Sequence, residues 1–213
     1  MHKIKNTNAL QRFFYQNNLI MKFYLSMALA AVLMAGTANA QHVNIGIKGG
    51  LNLYDIKNDD GTKYDTKAGI NIGLLGHIHF TKQFALQPEL VYSSEGAKYT
   101  TGGVDTKLRL GYINVPVMFQ YMFENGFRLE AGPQVGFLTS AKSKTNTTTV
   151  DIKDNIKPVD FALGAGLGYL DVKSGFGVDA RYNLGLSNIN ENGSVKSTNR
   201  GLQLGIFYML GNK

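Results

Sequence analysis

The chain has 213 residues, no cysteine and a formal charge of +7, from 22 Lys and Arg against 15 Asp and Glu. The absence of cysteine excludes a disulfide framework and a thiolate metal site. Four of the basic residues and none of the acidic ones lie within residues 1–40, so residues 41–213 carry a charge of only +3. A nucleic-acid partner needs a concentrated basic patch and is therefore not expected.

The chain begins with a leader, which we predict to span residues 1–40. Met21-Lys22 supplies a positive charge, residues 23–34 are apolar apart from Ser26, and Ala38-Asn39-Ala40 forms an A-x-A site. This is the order of a secretory signal peptide, with its core at residues 21–40 and cleavage expected after Ala40. The apolar run is shorter than the about 20 residues that a transmembrane helix needs. We expect translation to begin at Met21.

After the leader, apolar and polar residues alternate in eight segments, and residues 41–213 are predicted to form one domain. In residues 176–187, for example, Val178 and Ala180 fall on one side while Asp179 and Arg181 fall on the other. Because alternate side chains of a strand point to opposite faces, this pattern predicts strands with one apolar and one polar face. The predicted strands are residues 43–54, 67–80, 84–94, 107–123, 127–140, 158–172, 176–187 and 200–210.

The predicted connections alternate strictly between short and long. Three are tight, at residues 81–83, 124–126 and 173–175, and two of these contain the hairpin signals Asn-Gly and Ser-Gly. The other four, at residues 55–66, 95–106, 141–157 and 188–199, are long and polar. Outer-membrane barrels have short periplasmic turns and longer external loops. We therefore predict an all-β fold, an eight-stranded antiparallel up-and-down transmembrane β-barrel with both chain ends in the periplasm.

The apolar face is predicted to contact lipid, with aromatic residues such as Phe84, Phe127 and Phe176 near the short turns forming an interfacial girdle. The fourth segment breaks phase, because Leu110 and Tyr112 share one side whereas the apolar residues from Val115 onward take the other parity. A bulge near residues 113–114 would restore the faces.

The opposite face is rich in glycine and in charges of both signs. An eight-stranded barrel has room only for its own side chains, and an unpaired charge inside it would be costly. We therefore expect a structural plug of ion pairs rather than an open pore, a catalytic site or a proton path. The predicted plug residues are Lys48, Glu89, Arg109, Arg128, Glu130, Asp179 and Arg181.

No motif predicts an enzyme, and no catalytic residue, cofactor or metal ion is expected. His77 and His79 have the spacing of metal ligands but no evident third ligand, so polar filling of the lumen is favoured. The acidic loop at residues 55–65 fails the order of an EF-hand. The glycine-rich residues 164–168 lie in a strand and open no helix, which excludes a phosphate loop.

Four stretches resemble known outer-membrane proteins. Gln203-x-Gly205-x-x-Tyr208-x-Leu210 is similar to the C-terminal insertion signal of such barrels. The stretches Pro88-Glu89-Leu90-Val91-Tyr92-Ser93, Tyr112-Ile113-Asn114-Val115-Pro116-Val117 and Leu129-Glu130-Ala131-Gly132-Pro133 resemble the outer-membrane β-barrel family of Bacteroidota, often called PorT-like.

The resemblance implies a barrel in the cell outer membrane and specifies an activity hardly at all. The leading hypothesis is a monomeric, non-enzymatic protein with a plugged lumen, surrounded by outer-membrane lipid. Its role would be structural, or it would interact through its external loops with an extracellular or periplasmic protein that is not identified. The alternative is a secretion-accessory (PorT-like) or small-solute transport component.

Overall fold

The computed structural model describes residues 43–191 and 195–210, and in this part of the chain eight strands form a closed antiparallel ring. Every strand of the ring pairs with its neighbours along the chain, which is the up-and-down topology, and the predicted fold class is confirmed. The ring consists of β1 (Val43–Asn58), β2 (Asp65–His79), β3 (Phe84–Thr101), β4 (Val104–Met122), β5 (Phe127–Lys144), β7 (Val159–Leu170), β8 (Phe176–Gly185) and β9 (Ser197–Leu210).

The ring closes between the first and last strands. β1 and β9 are antiparallel over fourteen residue pairs, from Ile45 opposite Leu210 to Asn58 opposite Ser197. Among the described residues, the short strand β6 (Thr149–Asp151) pairs with the end of β5 alone, and a 3-10 turn (Lys153–Asn155) follows it. Because every ring strand has two neighbours, the barrel has no open edge.

The turns at one end of the barrel are short, as predicted, and we call this the short-turn end. Gly126 and Gly175 take positive φ angles of 90° and 77° there, which glycine adopts without a steric penalty. After β7, the Asp171 carboxylate accepts hydrogen bonds from Ser174 and from the Lys173 amide, and these bonds lower its pKa.

At the other end, which we call the long-strand end, the strands extend further than predicted. β3 and β4 are joined by only two residues, Gly102 and Gly103, with φ angles of 58° and 78°. The prediction of a long connection over residues 95–106 is therefore wrong. These residues are mostly polar and small, so no apolar alternation marks them as strand. The hydrogen-bonded pairing of β3 and β4 nevertheless continues to the pair Thr101–Val104.

The outer face of the barrel carries an apolar band, as the alternation predicts. Ile206 is 68% exposed and Ile72 is 63% exposed, whereas their neighbours along the strands point inward. Near the short-turn end the outward aromatic rings touch across strands, with centroids 4.7 Å apart for Phe176–Tyr208 and 5.2 Å apart for Phe84–Tyr121. Ile78, which the alternation also predicts on this face, is buried. Within the described residues, no helix has the length and apolar character to span a membrane.

The irregularity predicted in β4 lies instead in β5. Gly111 is opposite Ser140 and Tyr112 is opposite Leu138, so Thr139 is the extra residue of the bulge. β4 keeps one parity throughout, and Leu110 and Tyr112 therefore point into the barrel, where each is 1% exposed. The same parity turns Arg109 outward.

Candidate functional site

The centre of the barrel interior is an ion-pair network around Glu89. The Arg181 guanidinium donates to both oxygens of the Glu89 carboxylate, with Nη2–Oε1 at 2.8 Å and Nη1–Oε2 at 3.2 Å. Lys48 Nζ lies 3.2 Å from Oε2, and Gln87 Nε2 donates to Oε1 at 2.7 Å. Glu89, Lys48 and Arg181 are all buried, so these contacts are shielded from water. Such bidentate, charge-assisted contacts are strong.

Two further carboxylates extend the network across the lumen. Arg181 Nε donates to Glu130 Oε1 at 2.9 Å, and Gln120 Nε2 donates to the other Glu130 oxygen at 2.8 Å. Lys48 Nζ lies 3.3 Å from Asp179 Oδ2. The participating strands β1, β3, β5 and β8 are brought together only by closure of the ring.

Arg128 is also buried but is held differently. Its guanidinium carbon lies 4.2 Å from the centroid of the Phe207 ring, which places the cation over the aromatic face. Its hydrogen bond to Gln87 Oε1 is long, at 3.5 Å, and Nε and Nη2 have no hydrogen-bond partner among the described residues. With Arg128 included, the network holds three cationic side chains (Lys48, Arg128 and Arg181) and three anionic ones (Glu89, Glu130 and Asp179). The other buried charged side chains among the described residues are Lys67, Glu95 and Asp160.

The structure thus brings six of the seven predicted residues together and leaves one outside. Arg109 is exposed on the outer surface of β4, opposite Lys142 of β5. Its assignment to the interior is wrong, because that assignment depended on a bulge in β4 that the strand does not have.

Glycines on neighbouring strands leave room for the charged side chains. A Cβ atom on Gly205 would lie 2.8 Å from Asp179 Oδ1, and one on Gly168 would lie 2.9 Å from Arg128 Nε. Both glycines face the lumen, and each is directly opposite Asp179 on a neighbouring strand. The many glycines of the polar face are thus explained, at these two positions, by close approach.

A layer of uncharged polar side chains, which the sequence pattern did not single out, lies beside the network. Asn52 donates to Ser93 at 2.8 Å and accepts from Asn71 at 2.8 Å, and Asn183 donates to the Tyr54 hydroxyl at 2.7 Å. Two more carboxylates are held by amides, Glu95 by Asn114 and Asp160 by Asn199. These polar residues could have been predicted from the sequence, because each of them occupies an inward-facing position in the alternation of its strand.

Apolar clusters pack inside the barrel on either side of the polar layers. At the short-turn end, Leu75, Phe207 and Met209 are buried together, with Leu170 against them. Toward the long-strand end, a larger cluster forms where the parity of β4 turns apolar residues inward. Its buried members are Ile56, Ala97, Leu110, Tyr112, Leu138, Ala141 and Ile189.

The two histidines of β2 sit near the short-turn cluster. His77 is buried, and its ring meets that of His79 edge to face at 4.5 Å. Across residues 43–191 and 195–210, no group of three His, Asp or Glu side chains is placed to hold a metal ion.

Comparison with solved structures finds similar proteins. The chain is similar to Neisserial surface protein A, with a TM-score of 0.51 and 13% identity, over 78% of this chain and 98% of that one. It is also similar to Ail, the attachment invasion locus protein of Yersinia pestis, with a TM-score of 0.47 and 19% identity over the same shares. No curated protein sequence matches significantly.

The family model named outer membrane protein beta-barrel domain matches residues 38–191, which is more than two thirds of the chain. Its match covers all of the ring strands except β9. The closed ring, the apolar outer band and this match agree, and the chain belongs to the outer membrane protein beta-barrel domain family.

Proposed function

We propose that this outer-membrane protein is a closed, non-conducting barrel that acts through its surface at the long-strand end and is not an enzyme. The observation that best supports this proposal is that side chains fill the interior of the barrel. A balanced ion-pair network crosses the lumen between β1, β3, β5 and β8, and apolar clusters pack on either side of it.

The ion-pair network serves as a structural plug in this proposal. An eight-stranded barrel encloses only enough space for its own side chains. Moving Arg181 aside to open a path would leave Glu89 and Glu130 buried without their shared partner. Breaking a buried pair costs about 3–5 kcal/mol, so a resting barrel stays closed to ions and solutes.

We place the long-strand end outside the cell. Short turns face the periplasm in barrels of this kind, whereas external connections are longer. The β3–β4 and β5–β6 extensions then project beyond the membrane as a small sheet, and exposed residues there are available to a partner. We take the protein to be a monomer exported by the predicted signal peptide, which lies outside the described residues. Membership of the PorT-like subgroup and a role in secretion rest on the motif resemblance alone.

Single-channel recording tests the closed barrel. Protein purified in detergent and inserted into planar bilayers is expected to give no conductance steps at moderate voltage, whereas a porin inserted in parallel gives them. The variant R181A/E89A removes both the guanidinium and the carboxylate at the centre of the network. It is expected to conduct ions in at least brief openings. Stable ion currents from the unmodified protein would overturn the proposal and favour solute transport.

A further inference from the structure

Five basic side chains lie next to one another on the outer surface of β3, β4 and β5. Lys98 is directly opposite Lys107, which is directly opposite Lys144, and Arg109 is directly opposite Lys142. All are exposed except Lys98, which is half-buried. We call these five residues the basic grid.

The grid is electrostatically unfavourable for the isolated protein. Side chains directly opposite each other in a sheet have Cβ atoms about 4.5–5.5 Å apart, and like charges at that distance are destabilising. Asp65 is opposite Lys98, Asp151 is opposite Lys142, and Asp105 lies on the same face of β4. These three acids leave an excess of positive charge, and among the described residues none forms an ion pair with the grid.

The height of the grid on the barrel indicates what would neutralise it. On β4 the outward apolar residues of the band end at Ile113. Arg109 lies four residues before Ile113 in the chain, about 13 Å further along the strand toward the long-strand end at about 3.3 Å per residue. With a strand tilt of about 40°, this is about 10 Å above the end of the apolar band. Long Arg and Lys side chains at that height reach the layer of lipid headgroups.

We propose that the basic grid binds the phosphate groups of an anionic glycolipid in the outer leaflet. The Arg109 guanidinium presents a planar fork of donors that matches a phosphate, and the neighbouring lysines add point charges. The grid faces sideways, in continuity with the lipid-facing surface of the same strands, and therefore meets a headgroup before it meets a soluble molecule. This inference rests on the proposed orientation, in which the long-strand end is external.

Native mass spectrometry of the folded protein in detergent tests the inference without depending on orientation or conductance. The probes are phosphorylated lipid A, the same lipid after removal of its phosphates, and inorganic pyrophosphate. The variant R109Q/K142Q removes two grid charges. The matched control K82Q/K173Q removes two exposed lysines from turns at the short-turn end.

We expect phosphorylated lipid A to bind the unmodified protein and the control with equal affinity. A basic side chain near an anionic lipid surface is worth about a factor of five in affinity, so the grid variant should bind about 25-fold more weakly. Three results would overturn the proposal: equal binding to R109Q/K142Q, equal loss in K82Q/K173Q, or undiminished binding of the dephosphorylated lipid. Competition by pyrophosphate at the lipid's own concentration would also overturn it, since it would identify a soluble phosphate compound as the ligand.

Discussion

Replacing Glu89 by glutamine tests the energetics of the buried network most directly. Gln keeps the size of the side chain but removes the anion that Arg181 and Lys48 share. The network then holds three cationic and two anionic side chains, and one of its positive charges is left without compensation. Because breaking a buried pair costs about 3–5 kcal/mol, we expect E89Q to lower the free energy of unfolding by about that amount.

An exposed ion pair on the same barrel provides the control. Arg200 Nε lies 2.6 Å from Asp55 Oδ1, closer than any pair in the interior, but the two side chains are 39% and 21% exposed. Surface pairs are worth roughly 0–1 kcal/mol, so D55N should cost less than E89Q despite the shorter distance. Burial, and not distance, decides the order of the two effects.

A compensating change separates lost charge balance from lost packing. The double variant K48M/E89Q restores an equal number of cations and anions, and we expect it to recover part of the stability lost in E89Q. Pairs in one network are coupled, so the two substitutions should not be additive. Glu130 contacts Arg181 and Gln120 but, unlike Glu89, forms no ion pair with Lys48, so E130Q should cost less than E89Q.

Urea unfolding in detergent micelles, followed by tyrosine fluorescence and by gel mobility of unheated samples, measures these differences. The reasoning is refuted if E89Q loses less than about 1 kcal/mol, which is the range of a surface pair. It is refuted equally if K48M lowers stability further in the E89Q background, because an excess of positive charge would then not be the cause of the loss.

Three other predictions address packing, topology and processing. G205A should destabilise the barrel by about 1–3 kcal/mol, the usual cost of overpacking, whereas G49A should not, because a Cβ there meets nothing closer than 3.7 Å; equal unfolding curves would contradict this. A peptide tag at Asn146 should be labelled on intact cells and a tag at Asn125 should not, and the reverse pattern would invert the proposed orientation. The protein recovered from outer membranes should begin just after Ala40, and a precursor peptide from residues 4–12 would disprove initiation at Met21.

The sequence by itself determined the number of strands in the ring and which residues of most of these strands face outward. Both follow from a period of two that is written locally along each strand. The same parity placed Arg128 and Glu130 of β5, and Asp179 and Arg181 of β8, on the inner side. The alternation of apolar residues with polar residues and glycines lies within each strand. The outer and inner faces could therefore be predicted from the sequence without knowing how the strands pair.

In β4 the alternation was misleading, because the kind of residue that faces inward changes along the barrel. The apolar character of Leu110 and Tyr112 predicts contact with lipid, but they belong to the cluster inside the long-strand end. Beyond the membrane, a strand that meets water on its outer face buries apolar residues inward. Arg109 points outward for the same reason, and only the register of β4 against β5 reveals this.

Closure of the ring decided which charges pair. Glu89 and Arg181 are 92 residues apart in the chain, and Lys48 and Glu89 are 41 apart. The residues next to each charge in the chain do not indicate which distant charge it will pair with. Ion pairing depends on the separation of charges in three dimensions and on the exclusion of water. The network of three cationic and three anionic side chains therefore forms only when its strands meet in space. The basic grid on the outer surface likewise forms only when β3, β4 and β5 pair.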